Sequence, residues 1–94
     1  MKQIVINKIH GGFNLSHEAL TRLCEIKGTL VNQFNIARDD ADLLTVVKEM
    51  GDKADGLSAS LTIVEIPDDV EWQIEEYDGI EWVAEKHRTW GQQS

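Results

Sequence analysis

A single cysteine, Cys24, excludes an internal disulfide and fits a reducing compartment, so the expected setting is the cytoplasm. A single proline, Pro67, leaves one strong backbone break, a bend at Ile66-Pro67-Asp68-Asp69, because proline donates no hydrogen bond to a strand ladder. No apolar run approaches the roughly 20 residues needed to cross a bilayer, and Met1–Ile6 is too short and wrongly flanked for a signal peptide. The chain also lacks internal repeats, low-complexity tracts and linkers. Its 94 residues therefore read as one domain with one modest core over residues 1–90, followed by a frayed tail at Gly91–Ser94.

Positive charge is missing from one stretch in particular. Between Ala54 and Glu85 there is no lysine or arginine. Residues 1–53 balance seven bases against seven acids, whereas residues 54–94 set ten acids against Lys86 and Arg88 and so carry the whole net charge of −8. Such a surface repels the phosphates of nucleic acid and attracts basic proteins. The plain alternative is a solvated face that keeps the protein soluble.

What is present organises around Leu61–Trp90, which holds the three tryptophans, the one tyrosine and the strongest turn signal. Asp78-Gly79 suits a two-residue type I′ turn, since both central residues need positive φ. That turn pairs Tyr77 with Ile80, Ile74 with Val83 and Trp72 with Glu85. Trp72, Ile74 and Val83 then form the face expected to meet the core, with Gln73, Glu75, Tyr77, Trp82 and Ala84 on the other. Glu76 falls opposite Glu81, an unfavourable like-charge pair that calls for a longer loop or a nearby cation.

Upstream, Gln3–Asn7 is a short strand and His10-Gly11-Gly12 breaks the chain. Ser16 is a good N-cap, Leu15 can staple to Leu20, and Gly28 is a natural terminator, so Ser16–Lys27 reads as a helix. Thr29–Ile36 reads equally as a short strand or a buried connector. Asp39 is the expected cap of a second helix, whose face is Leu43, Val46, Val47 and Met50 and which ends at Gly51 or continues to Gly56. Ser58–Ile66 is the next strand. The fold class is α+β: two helices packed on a mostly antiparallel sheet of three to five strands, with a C-terminal hairpin. The first strand is expected to enter the same sheet as the hairpin, because an isolated hairpin is marginal in water.

Candidate chemistry is sparse. Cys24 lies on the apolar face of the first helix, where a thiol acts as a small core residue. His10, His17 and His87 show no metal-ligand spacing, and no metal or cofactor is expected. Asp39, Asp40 and Asp42 lack the glycine and distal glutamate of a calcium loop and read as helix capping. Glu81, Glu85 and His87 share a strand face, where acid–base work would need a cleft, and a charged, exposed strand edge is the better explanation. The strand–HGG–helix order has the sequence of an anion site without the lysine and further glycines of a phosphate loop.

IVIN-x3-GGF-x-LS, RDD-x-DLL-x-VV and EIPDDVEW-x-IEEYDGIEWVAEKHRTW resemble a group of small proteins from tailed phages and prophages, over most of the chain. Members often carry proline after the paired aspartates, where Ala41 stands here. The group has no assigned activity, so the resemblance implies a setting, a phage gene product in bacterial cytoplasm, and no catalytic residue. Two function classes follow. One is an interaction protein whose acidic C-terminal sheet, through Asp68, Asp69, Glu75, Glu76 and Glu81, engages a basic host or phage protein, including by imitating nucleic acid. The alternative is a binder of a small nucleotide-like anion at Gly11, Gly12, Phe13, Ser16, Arg38, Arg88 and Trp90. For that second class the structural counterpart is a plug in which Phe13 and Trp90 cover the sheet end. An enzyme ranks third, because no activated nucleophile or metal set is visible.

Overall fold

The computed structural model describes residues 1–86. The elements run β1 (Lys2–Asn7), α1 (His17–Lys27), α2 (Ala41–Met50), β2 (Leu61–Ile66), β3 (Trp72–Tyr77) and β4 (Ile80–Glu85), with 3-10 turns at Gln33–Asn35 and Gly51–Ala54. The α+β class expected from sequence is the class observed.

Local signals account for most boundaries. Ser16 caps α1 by accepting the Ala19 N–H on Oγ at 3.1 Å, and the Gly28 N–H closes the other end on the Cys24 carbonyl at 2.8 Å. Asp78 and Gly79 both have positive φ, 53° and 92°, as a type I′ turn requires. The register of β3 on β4 is the one the turn dictates, from Tyr77↔Ile80 to Trp72↔Glu85.

Two boundaries differ from expectation, and the open reading of Thr29–Ile36 is resolved against a strand. Asp40 rather than Asp39 caps α2, accepting from the N–H groups of Asp42 and Leu43 at 2.9 and 3.0 Å. That start brings Leu43, Val46 and Val47 to the buried face of the helix. Thr29–Ile36 contains no strand. Asn32 caps the 3-10 turn instead, and Leu30 and Phe34 stay exposed. β2 begins at Leu61 instead of Ser58, because the preceding backbone is spent on turns: the Ala59 N–H bonds to the Gly56 carbonyl and the Ser60 N–H to Asn7 Oδ1.

The strands form two antiparallel pairs, β1–β2 and β3–β4, and not the continuous sheet expected from sequence. The reason lies at the second edge of β1. There the Val5 N–H donates to the Arg38 carbonyl and the Asn7 N–H to the Glu81 carboxylate, both at 2.9 Å. With those donors taken, β4 lies against β1 without a backbone ladder between them. Val5 joins Phe13, Leu15, Ala19, Leu23, Leu43, Val46, Val47 and Ala54 in the core under the helices, and Leu61 and Ile63 pack against it. Strand alternation puts Ile4 and Ile6 on the opposite face of β1, where they are also buried.

Candidate functional site

The strongest polar interaction couples the helical half to the hairpin. Glu81, whose side chain is 7% exposed, receives both Nη atoms of Arg38, at 2.6 and 2.8 Å. Arg38 also donates to the Val5 carbonyl at 3.3 Å and lies 3.7 Å over the Phe13 ring. A fork of this kind on a carboxylate, stacked on an aromatic face, uses both the charge and the planarity of guanidinium. Glu81 therefore does not belong to the exposed acidic face assigned from sequence. It is the buried partner of Arg38, and Arg38 is the cation that the Glu76–Glu81 pairing called for.

Beside this node, the His10-Gly11-Gly12 loop closes on the hairpin turn. Asn7 Nδ2 donates to the carbonyls of Ile9 and Gly79 at 2.6 and 2.8 Å, tying the strand end to both. His10 Nδ1 sits 3.2 Å from an Asp78 carboxylate oxygen. A Cβ on Gly79 would come within 2.5 Å of the Gly12 nitrogen and closer still to that of Gly11, so the two backbones meet where a side chain would intrude. The shallow depression there, of about 330 Å³, is lined by Gly11, Gly12, Glu76, Asp78 and Gly79. Its two charged groups are carboxylates, the wrong sign for an anion.

The residues assigned to an anion site are dispersed among separate contacts. Gly11 and Gly12 meet the turn, and Phe13 lies under Arg38. Ser16 faces the Gly51–Ala54 turn, its N–H donating to the Ala54 carbonyl and its Oγ to that of Lys53. Arg38 is committed to Glu81. Arg88, Trp90 and His87 lie outside the described residues, as does the tail at Gly91–Ser94. Among the described residues no group of three metal-ligating side chains assembles.

The other residues assigned to the acidic face are exposed. Asp68 and Asp69 sit at the bend between β2 and β3, where the Met1 amino group lies 3.2 Å from Asp68. Lys2 and Lys86 border the same bend, across a depression of about 330 Å³. Glu75 and Glu76 stand on β3, with Glu71 and Asp78 exposed at its two ends. On the outer face of the hairpin Tyr77 is 73% and Trp82 43% exposed. Trp82 Nε1 donates to Glu75 Oε1 at 3.2 Å, a cross-strand bond that holds the indole across the sheet. Sequence reasoning placed both aromatics on the outer face but did not count them as site residues. Strand alternation around the Asp-Gly turn was the available signal. Compared with models of known protein families, with curated proteins and with solved structures, the chain matches none.

Proposed function

We propose that this chain is an interaction protein that engages a basic protein through the outer face of its C-terminal hairpin. The observation that carries the reading is the exposure of Tyr77 and Trp82 among exposed carboxylates, on a stretch from Ala54 to Glu85 that contains no lysine or arginine. Tryptophan and tyrosine are the residues that most often anchor interfaces, and their faces attract lysine and arginine. Glu75, Glu76, Asp68 and Asp69 would steer such a partner and fix its orientation. The resemblance to small phage and prophage proteins supports a setting in bacterial cytoplasm. Among the described residues no observation favours the anion-binding alternative, since Arg38 is spent on Glu81.

The test is a pull-down from bacterial lysate at low and at high salt. Wild type is compared with a variant carrying Asn or Gln at Asp68, Asp69, Glu75 and Glu76. Wild type at low salt is expected to recover basic proteins that salt and the substitutions each remove. Equal recovery in all four conditions would exclude the reading, and so would direct binding to duplex DNA, whose phosphates these charges repel.

A further inference from the structure

The backbone of β3 offers more than a charged surface. In an antiparallel pair, alternate residues turn their N–H and C=O groups toward the neighbouring strand and away from it. The two-residue turn makes Tyr77↔Ile80 a hydrogen-bonded pair, and the Lys86 N–H on the Glu71 carbonyl at 2.9 Å marks the same phase at the other end. Gln73, Glu75 and Tyr77 thus spend their backbone groups on β4, while Trp72, Ile74 and Glu76 direct theirs outward. Among the described residues β3 has β4 as its one strand neighbour, and no backbone hydrogen bond links Ile74 or Glu76 to another element.

We infer that β3 accepts its partner as an added strand, and that the partner supplies an extended segment with two adjoining basic residues next to an apolar one. This rests on the acidic-face reading above and specifies how that face is used. A strand laid along β3 would bond the backbone of Ile74 and Glu76 and place its own side chains alternately on the two faces of the sheet. Opposite Glu75 and Glu76 it meets carboxylates on both faces in succession, which selects consecutive lysine or arginine. Opposite Ile74 it meets a half-buried apolar side chain. Tyr77 and Trp82 lie on the Glu75 face, ready to stack on a cation there.

Charge also decides against a second copy of the chain. Pairing β3 with β3 of another molecule would lay side by side two strands that each carry Glu75 and Glu76 and no base, and like charges close together on a ladder are destabilising. The edge of β2 has no comparable selectivity. Its outward backbone groups belong to Ile63 and Glu65, and Glu65 is the one carboxylate on that strand.

The experiment uses capped synthetic peptides of about eight residues, long enough to span one strand. One is valine- and threonine-rich with a central lysine–arginine pair. The second is identical but N-methylated at the amides that would face β3, and the third has glutamate in place of the basic pair. Binding is followed by fluorescence of the tryptophans and by amide hydrogen exchange of Ile74 and Glu76. The basic peptide is expected to slow exchange at both amides and to bind about tenfold more tightly than its N-methylated form, the scale of one or two lost hydrogen bonds. The glutamate peptide is expected not to bind. If the N-methylated peptide binds equally well, strand addition is wrong while the acidic-face reading stands. If neither basic peptide binds and the pull-down recovers nothing charge-dependent, both fall together. Slow exchange at Ile74 and Glu76 without peptide, accompanied by dimer in sedimentation, would replace the basic segment with a second copy.

Discussion

Among individual residues, Arg38 and Glu81 carry the most consequence. A buried carboxylate is tolerable only when its charge is matched and its lone pairs are filled, and here the guanidinium fork and the Asn7 N–H do both. Removing one partner leaves the other charged and desolvated, a loss of about 3–5 kcal/mol. Arg38→Ala and Glu81→Gln are therefore each expected to lower the urea midpoint strongly. Arg38→Lys should rescue little, because an ammonium cannot reproduce the fork or the stack on Phe13. Replacing both partners with apolar residues should cost less than the two single changes added together. A midpoint for Glu81→Gln equal to wild type would show that the pair contributes nothing to the fold. From sequence, the like-charge pairing of Glu76 with Glu81 calls for either a longer loop or a nearby cation, and the structure keeps the two-residue turn and supplies the cation. The sequence could not say that the cation is Arg38, which is 43 positions away.

Whole elements depend on their ends. Asp40 holds the start of α2 through two backbone N–H groups, and Lys27 at the end of α1 bridges Asp40 and Asp42 at 2.9 and 3.1 Å. Burial by itself pushes the Asp40 carboxyl up, but the Lys27 ammonium and the N–H groups of Leu43 and Asp42 outweigh it and hold the carboxyl below its ordinary value. A depressed carboxyl contributes stability above the unfolded carboxylate range and loses it as pH falls through the folded value. Asp40→Ala should cost about 1 kcal/mol at neutral pH. Asp40→Asn keeps a capping oxygen without the charge, so its thermal midpoint should fall less steeply than wild type as the pH drops below about 5. Parallel acid limbs in the two melting series would remove Asp40 from the acid response.

The hairpin turn is the other sensitive end. Gly79→Val combines a β-branched residue at φ 92° with a collision against the Gly11 and Gly12 nitrogens, and should cost about 1–3 kcal/mol. Gly12→Ala is the control, since φ is 90° there but an added Cβ meets nothing within 4 Å. Gly79→Ala should therefore destabilise more than Gly12→Ala in urea melts. Equal effects would mean that the glycine loop does not press on the turn.

Over the whole molecule, charge is segregated. The helical half neutralises itself locally, with Arg22 on Glu25 and Glu49 and Lys27 on Asp40 and Asp42. Among the described residues the hairpin half has no such balance: its exposed carboxylates outnumber the cations that border them, Lys2, Lys86 and the Met1 amino group. The described residues span 47 × 27 × 22 Å. Screening at about 0.1 M salt acts over about 10 Å, so the balanced half does not cancel the field at the hairpin. The salt sensitivity expected in the pull-down follows from that distance.

Signals that act over a few residues were legible without a structure. The Asp78-Gly79 turn and its register, the two caps of α1, the apolar face of α2 and the partition of charge all depend on neighbouring side chains or on simple periodicity. Where two aspartates competed for one cap, the choice passed to Asp40, the residue that also reaches Lys27 from another helix. Only the tertiary structure decided that Thr29–Ile36 makes no strand, that the strands divide into two pairs, and that Glu81 is buried while Glu75 and Glu76 are exposed. Those outcomes rest on contacts between distant positions, such as the Asn7 N–H on Glu81 across 74 residues. A strand edge is available for pairing until something else takes its donors, and nothing in the composition of β1 reveals that Arg38 and Glu81 do.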